Sequence, residues 1–282
     1  MNGEDFLAGM AASSAQRVAA ARARESEQAL MQRALASKTP PALTLSPQGF
    51  DVIAELKLRS PALGMLGSGS DDLDARITDY AEHGAAAISV LTEPERFDGA
   101  LEHLQRASRV LAGRVPAMRK DFLVDPYQMA EARVAGAGGA LVIVRMLSRP
   151  ALEALLARAA QLSLFVLLEA FDEADIELGA ELIEQFGTRQ RLLIGINCRD
   201  LVTLQVVPGR LEALLPRLPD SVPRVAESGV DSPAAAARLA AAGYDLALIG
   251  GALMKATDPA ALLTALLGAG RAARGTRDRS CG

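Results

Sequence analysis

The stretch Phe50–Gly64, FDVIAELKLRSPALG, decides how the rest of the chain is interpreted. It begins with the apolar run Val52–Ala54, the pattern of a short strand buried on both faces. Glu55, Lys57 and Arg59 then alternate, which places their side chains on one face of an extended segment. Burying three charges at a strand end is costly unless each finds a partner or a ligand. The stretch therefore indicates either a binding site at the end of a buried strand or a solvated strand end with ordinary ion pairs.

Length and composition describe a globular chain of one large or two small domains. The chain has 282 residues, of which 50% are hydrophobic and 23% are charged, and its net charge is −4. No apolar run approaches the roughly 20 residues that span a bilayer, and the N-terminus lacks the pattern of a secretory signal. Two cysteines, Cys198 and Cys281, fit a reducing compartment. We expect a cytoplasmic protein without a membrane or nucleic-acid partner.

Apolar runs typical of strands recur along the chain at intervals of roughly 23 to 36 residues. After the first strand they are Ala86–Leu91, Val115–Met118, Ala140–Val144, Leu164–Leu168, Leu192–Ile196, Arg224–Ala226 and Leu246–Ile249. The stretches between them are rich in helix-forming residues. About eight such units predict an α/β protein with the (β/α)₈ TIM-barrel fold. A doubly wound sheet is the alternative, but Leu58–Gly64 contains no G-x-G-x-x-G fingerprint.

Two segments lie outside the predicted barrel of residues 50–268 within a single domain of residues 1–282. Residues 5–36 are rich in helix formers and contain no proline, so residues 1–48 are predicted to form an extra N-terminal helical segment. Residues 269–282 are basic and polar, and we expect them to form a frayed tail.

Ionisable and amide side chains recur at the ends of the predicted strands. They are Glu55 and Lys57 after the first strand, Lys120 after the third, Glu169 after the fifth, Asn197 and Arg199 after the sixth, and Glu227 after the seventh. Active sites of TIM barrels lie at the carboxyl ends of the strands. The set therefore predicts a catalytic rim rather than a series of unrelated solvated residues. With only two histidines and two cysteines in the chain, neither a zinc site nor a catalytic histidine is expected.

The last two strands are followed by small residues. Ser228 and Gly229 follow the seventh strand, and Gly250 and Gly251 follow the eighth. Glycines leave backbone N–H groups unobstructed, and barrels commonly bind phosphate at these two loops. Glycine pairs also occur in ordinary turns, but both pairs at the two expected positions predict a phosphate site.

The segments that carry these residues resemble one family. They are VIAELKLRSP, AISVLTE, MRKDFLVDPYQMAEARVAGA, LLEAFDEAD, LIGINCRDL, VAESGV and ALIGGALM. In this order they resemble indole-3-glycerol phosphate synthase of tryptophan biosynthesis, from about Asp5 to Leu267. The combination of E-x-K, RKDF and INxRDL is specific, because other phosphate-binding barrels share only the glycine loops.

The resemblance implies a carboxy-lyase that closes an indole ring without a cofactor or a metal. The implied substrate is 1-(2-carboxyphenylamino)-1-deoxyribulose 5-phosphate, which loses carbon dioxide and water. By resemblance, Lys120 donates a proton to the ketone oxygen. Glu55, Lys57 and Glu169 match the positions associated with dehydration, without an assignment of which does which. Asn197 would hold a hydroxyl or carbonyl, and Glu227 would orient a lysine or a sugar hydroxyl.

The resemblance also implies a substrate-binding set. Arg199 would hold the anthranilate carboxylate with two hydrogen bonds, and Phe122 would line the aromatic pocket. Ser60 and the loops containing Ser228, Gly229, Gly250 and Gly251 would hold the phosphate, with Arg59 adding charge.

The chain departs from the family pattern at several positions. Leu63 stands where members typically carry a loop lysine, and Gly251 stands where a longer side chain is common. These departures leave open a divergent paralogue with a specialised role. The alternatives are another phosphate-binding barrel enzyme, such as a sugar-phosphate isomerase or an aldolase, and a paralogue that binds the ligand without catalysis. The sequence assigns no oligomeric state.

Overall fold

Eight parallel strands form a closed barrel in the computed structural model. The strands are β1 (Asp51–Leu56), β2 (Ala87–Leu91), β3 (Ala117–Lys120), β4 (Gly139–Ile143), β5 (Phe165–Ala170), β6 (Leu192–Asn197), β7 (Arg224–Glu227) and β8 (Leu246–Ile249). Each strand pairs in parallel with its neighbours in sequence, and β1 pairs with both β2 and β8. This arrangement confirms the TIM-barrel prediction.

The structure describes residues 3–56, 59–60, 64–65, 73–200, 203 and 205–280, and the side chains of residues 6–56, 73–200, 203 and 205–274. The helices are α1 (Gly3–Arg24), α2 (Glu27–Ala36), α3 (Leu73–Glu82), α4 (Pro94–Phe97), α5 (Leu101–Leu111), α6 (Pro126–Val134), α7 (Arg149–Gln161), α8 (Glu173–Phe186), α9 (Arg210–Leu214), α10 (Pro233–Ala242), α11 (Gly251–Lys255) and α12 (Pro259–Ser280). Within these described ranges, none of the helices is long and apolar enough to cross a bilayer.

Strand alternation separates the barrel interior from the layer between strands and helices. One apolar cluster includes Ile53, Met118, Leu167, Leu193 and Val225, which are inward positions on five strands. Two residues further along four of these strands, the same face carries Glu55, Lys120, Glu169 and Glu227. The polar rim is therefore the direct continuation of the apolar interior rows.

The third strand begins later than its apolar run suggested. The prediction was Val115–Met118, whereas the strand spans Ala117–Lys120. Pro116 has no N–H to donate to the ladder, so the strand begins after it. Lys120 is consequently the last residue of a paired strand, opposite Leu91 of β2.

The N-terminal segment forms two helices instead of the single predicted stretch. Helix α1 ends at Arg24 and α2 begins at Glu27, with Ser26 in extended conformation between them. The Ser26 side chain accepts a hydrogen bond from the backbone N–H of Ala29 at 3.2 Å and caps α2. A serine in this position can start a new helix. The break was not predicted, because the residues on both sides of Ser26 are strong helix formers. Leu7 of α1 is buried in the same apolar cluster as the barrel interior.

The basic C-terminal segment does not fray at about residue 269 as predicted. Helix α12 continues to Ser280. Arg271 donates from Nη2 to Oδ1 of Asp51 at 2.9 Å and from Nε to the carbonyl oxygen of Phe50 at 3.0 Å. Arg274 pairs with Asp245 and donates to the carbonyl oxygen of Gly49. These contacts attach the helix to the amino-terminal ends of β1 and β8.

Arg271→Ala should lower the free energy of unfolding by about 1.5–3 kcal/mol, because the buried Asp51 loses its charged hydrogen-bond donor. Urea unfolding followed by circular dichroism measures the change. Arg189→Ala is the matched control, since Arg189 is exposed and its loss should shift stability by no more than about 0.5 kcal/mol. Equal effects of the two substitutions would contradict the role of Arg271 in anchoring α12.

Candidate active site

A cavity of about 430 Å³ lies at the carboxyl ends of the strands. Eleven of the fourteen predicted site residues line it: Glu55, Lys120, Phe122, Glu169, Asn197, Arg199, Glu227, Ser228, Gly229, Gly250 and Gly251. Lys57 lies outside the described residues. Arg59 and Ser60 are described only by their backbone, which pairs with Gly64–Met65 in a short antiparallel sheet.

A chain of hydrogen bonds joins four strand ends. The Nζ of Lys120 donates to Oε2 of Glu169 at 3.2 Å. The other oxygen of Glu169 accepts from Nδ2 of Asn197 at 3.1 Å. The hydroxyl of Ser228 in turn donates to Oδ1 of Asn197 at 3.0 Å. These contacts fix the orientation of both the carboxyl group of Glu169 and the amide of Asn197.

Ser228 occupies an unusual backbone conformation. Its φ is 66°, in the left-handed region that residues with a Cβ rarely adopt. Non-glycine residues persist there only where the surrounding structure over-determines them, often at functional sites. Here the hydroxyl of Ser228 is held by its hydrogen bond to Asn197. The next residue, Gly229, is also in the left-handed region, with a φ of 73°.

Lys120 is surrounded by carboxyl groups. Its side chain is 18% exposed, and it forms an ion pair with Glu169. Burial by itself lowers the pKa of Lys120, but the negative charges of Glu169, Glu55 and Glu227 outweigh this effect and raise the pKa above its ordinary value. Lys120 is therefore an ammonium at neutral pH, with protons available to an acceptor in the cavity.

Glu227 differs from Lys120 in that its surroundings favour the neutral form of the side chain. The residue is 1% exposed, and neither of its carboxyl oxygens accepts a hydrogen bond from the described part of the chain. Burial raises the pKa of Glu227 well above its usual range, and the neighbouring Glu169 raises it further, against the opposing effect of Lys120. A neutral carboxyl group here can donate its proton to the Glu169 carboxylate.

Two glycines make room for the acidic side chains. A Cβ atom on Gly195 of β6 would overlap Oε1 of Glu227, and a Cβ atom on Gly250 would overlap Oε1 of Glu55. Gly195 faces the interior between Leu193 and Asn197, where any larger residue would displace the carboxyl group. This steric requirement for glycine was not apparent from the sequence, because it arises from a contact between neighbouring strands.

Three phenylalanines form an aromatic wall of the cavity, here defined as Phe6, Phe97 and Phe122. The ring of Phe122 lies 6.0 Å from that of Phe6 at 77° and 6.3 Å from that of Phe97 at 37°. The contact with Phe6 is edge-to-face, a geometry that favours a fixed ring orientation, and the contact with Phe97 is tilted. The sequence predicted Phe122 alone. Phe6 and Phe97 belong to helices α1 and α4, and no local pattern indicates that they meet at the barrel mouth.

The loops after β7 and β8 contribute Ser228, Gly229, Gly250 and Gly251 to the same cavity. Lys255 at the end of α11 also lines it and is exposed. Sequence reasoning missed Lys255, because one lysine at the end of a short helix is an ordinary surface residue. In the structure it places a positive charge on the cavity that contains the glycine loops. Among the described residues, no cluster of histidine, cysteine and acidic side chains is suited to hold a metal.

The fold and the site define a TIM-barrel enzyme whose cavity combines ionisable side chains, an aromatic wall and glycine-rich loops. The family model for indole-3-glycerol phosphate synthase matches residues 7–266. The chain therefore belongs to the indole-3-glycerol phosphate synthase family.

Individual relatives agree with this assignment. An indole-3-glycerol phosphate synthase from Salinibacter ruber is 40% identical over 227 residues, covering 80% of this chain and 81% of the relative. One from Mycobacterium sp. (strain KMS) is 41% identical over 226 residues, covering 80% and 79%. Among solved structures, 3-hexulose-6-phosphate synthase from Salmonella typhimurium is similar with a TM-score of 0.60 at 13% identity, covering 80% of this chain and 99% of that chain. That last similarity concerns the fold alone.

The raised pKa of Glu227 predicts a pH-dependent effect of Glu227→Gln on stability. Above the unfolded-state pKa of about 4.3, the folded parent retains a proton that the unfolded chain has lost, so the parent loses stability as pH rises. The glutamine variant lacks this loss. Its free energy of unfolding relative to the parent should increase by up to about 1.4 kcal/mol per pH unit from about pH 5 upward.

Urea titrations at several pH values measure this difference. Glu184→Gln, at an exposed position on α8, is the matched control and should follow the pH profile of the parent. Parallel profiles for Glu227→Gln and the parent would show that Glu227 is ionised in the folded state.

Proposed function

We propose that this chain converts 1-(2-carboxyphenylamino)-1-deoxyribulose 5-phosphate into indole-3-glycerol phosphate, carbon dioxide and water in the cavity at the carboxyl ends of the strands. Membership of the family supports the activity. The observation that carries the assignment of the site is the hydrogen-bonded chain from Lys120 through Glu169 and Asn197 to Ser228, with the aromatic wall lining the same cavity.

Ring closure requires the carboxylate-bearing carbon of the aryl ring to attack the ketone carbon. The electron pair of the carbonyl moves to oxygen, and a nearby ammonium stabilises that charge and supplies a proton. Lys120 is charged and lines the cavity, so we assign it this role. A raised pKa disfavours the neutral amine that a Schiff-base aldolase needs. The observation therefore supports the synthase over the aldolase alternative for Lys120.

Decarboxylation then restores the aromatic ring, as the bond to the carboxylate breaks and its electrons return to the ring. The carboxylate must be held in place before this step. Arg199 lines the cavity beside Asn197, whose Oδ1 accepts a hydrogen bond from the backbone N–H of Arg199 at 2.9 Å. We propose that the guanidinium of Arg199 grips the carboxylate.

Dehydration needs an acid for the departing hydroxyl and a base for the proton that the new ring loses. Glu169 accepts hydrogen bonds from Lys120 and Asn197, which fix the orientation of its carboxyl group, and we assign it the base. Glu227 holds a proton next to it and can keep that carboxylate oriented. Glu55 lines the cavity beside Gly250, and we propose that it and Lys57 share the remaining proton transfers.

The substrate phosphate is proposed to bind at the loops after β7 and β8. Backbone N–H groups of Gly229, Gly250 and Gly251 would donate to the phosphate oxygens, together with Ser228. The ammonium of Lys255 would add a charge that a phosphate dianion favours. By resemblance to the family, Ser60 and Arg59 complete this subsite. We also propose that the reaction takes place in the cytoplasm and needs neither a metal nor a cofactor.

The test is a fluorescence assay for the indole product with purified chain, substrate and a metal chelator. Product formation supports the proposal. Saturable binding of the substrate by folded protein without product would indicate the non-catalytic paralogue. Inactivation by borohydride only in the presence of substrate would indicate a Schiff base and hence an aldolase.

Lys120→Met should lower kcat by about 10² to 10⁴-fold, because it removes the proton donor while keeping most of the side-chain volume. Steady-state kinetics on protein with a native circular dichroism spectrum measures the change. A kcat within a few-fold of the parent would show that another group protonates the ketone.

Lys255→Met also replaces an ammonium by an apolar side chain, but at another place in the cavity, and it should affect substrate binding instead of kcat. Losing a charged contact to phosphate weakens substrate binding by roughly tenfold or more. The loss should appear in KM with kcat retained, since the phosphate is held equally in the ground and transition states. Inorganic phosphate should inhibit the parent competitively and the variant more weakly. Equal inhibition of both proteins would place the phosphate away from Lys255.

A Gly250 variant is a poorer probe of the phosphate subsite, because any side chain at this position would overlap Glu55.

A further inference from the structure

Arg17 of helix α1 reaches the strand end that carries Lys120. Its Nη2 donates to Oδ1 of Asp121 at 2.7 Å, and its Nη1 lies 3.5 Å from Oε1 of Glu93. Asp121 stands between Lys120 and Phe122, and all three line the cavity. The catalytic roles proposed above involve neither Arg17 nor Asp121.

The carboxylate of Asp121 is held by four hydrogen bonds. Oδ1 accepts from Arg17 and from the backbone N–H of Phe122 at 2.8 Å. Oδ2 accepts from Oγ1 of Thr92 at 2.7 Å and from Nη2 of Arg119 at 3.2 Å. Two donors on each oxygen leave the buried carboxylate one orientation, which also fixes the backbone N–H of Phe122.

Glu93 is the second carboxylate at this point. It is fully buried, and its oxygens accept from the backbone N–H groups of Glu95 at 2.9 Å and Arg96 at 2.7 Å. Glu93 therefore caps α4, the short helix that ends with Phe97. The guanidinium of Arg17 therefore contacts both carboxylates, with Nη2 facing Asp121 and Nη1 facing Glu93.

Charge balance makes Arg17 necessary here. Arg119 is a second, buried cation of the cluster, but its Nη1 already bonds to Oε2 of Glu131 at 3.1 Å and to the carbonyl oxygen of Gln128 at 2.8 Å. Without Arg17, the buried carboxylate of Asp121 would share the guanidinium of Arg119 with Glu131, and the buried Glu93 would lose the cation that faces it. Uncompensated buried charge is strongly unfavourable, so the local structure would have to rearrange.

All three rings of the aromatic wall are attached to this cluster. Phe122 follows Asp121, and Phe97 lies at the end of the helix that Glu93 caps. Phe6 precedes Arg17 by eleven residues, which is close to three helical turns, so both lie on one face of α1. Ser14 on the same helix accepts a hydrogen bond from Nε2 of Gln128 at 2.9 Å, a second attachment of α1 to this region.

We propose that Arg17 is a positioning residue that sets the aromatic wall by joining the three segments that carry Phe6, Phe97 and Phe122. It thereby controls the affinity for the aryl group of the substrate, an inference that rests on the proposed function. Arg17 does not touch the reacting atoms. Its effect passes through the carboxylates of Asp121 and Glu93.

The first measurement is the division of the effect between KM and kcat in Arg17→Met. Loosening the wall should raise KM by about tenfold or more and leave kcat within a few-fold, since Lys120 and Glu169 are held by the barrel. Arg17→Lys keeps the charge but lacks the second arm, so its KM should lie between those of the parent and Arg17→Met. Arg24→Met, an exposed change on the same helix, should match the parent.

A purely structural role predicts another pattern. Reduced stability lowers the amount of active enzyme, so the apparent kcat falls while KM stays constant. A KM for Arg17→Met within twofold of the parent would overturn the proposal. If Arg17→Met does not fold, Arg17→Lys supports the same comparison.

The second measurement does not depend on activity. The chain contains no tryptophan, so Phe6→Trp introduces a single tryptophan reporter into the aromatic wall. Combining it with Arg17→Met should shift its emission to longer wavelength and increase quenching by acrylamide, relative to Phe6→Trp alone and to its combination with Arg24→Met. Unchanged emission and quenching would overturn the proposal even in an active enzyme. A shift in a protein without synthase activity would instead contradict only the proposed function.

Discussion

Among the described residues, the site depends on the partly buried ammonium of Lys120, which is surrounded by three carboxyl groups. Lys120 pairs directly with Glu169 and also lies in the field of Glu55 and Glu227. Within the described part of this cluster, the charge of Lys120 cannot compensate three buried negative charges, and protonation of Glu227 reduces the excess. The cluster thereby contains a charged donor in Lys120, a hydrogen-bond acceptor in Glu169 and a neutral acid in Glu227. Proton transfers of a cyclisation and dehydration require such a division of roles.

The barrel makes this arrangement possible by bringing strand ends within hydrogen-bonding distance. The apolar rows below the rim, such as Ile53, Met118 and Leu167, exclude water and strengthen the electrostatic interactions above them. Equally important are positions without a side chain. Gly195 and Gly250 leave the volume that two carboxyl groups occupy, so the rim is shaped by missing Cβ atoms as well as by charged groups.

The N-terminal helix is part of the site rather than an appendage to the barrel. Helix α1 contributes Phe6 to the aromatic wall, and its Arg17 reaches the carboxylate that follows Lys120. Asp121 therefore stands between Lys120, the proposed proton donor, and Phe122, a ring of the aromatic wall. The C-terminal helix has a different part, because Arg271 attaches it at the amino-terminal ends of the strands, away from the rim.

The sequence by itself determined the barrel and most of the rim, because strand periodicity is local and a rim residue directly follows its strand. Lys120, Glu169 and Glu227 could be found in this way. It did not reveal Phe6, whose neighbours in the site are distant in the chain, or Lys255, which the sequence does not distinguish from an ordinary surface lysine. Pairing partners and pKa shifts were also decided only by the tertiary structure. Both depend on distances across the rim and on burial, and closure of the barrel sets these quantities through the register of all eight strands.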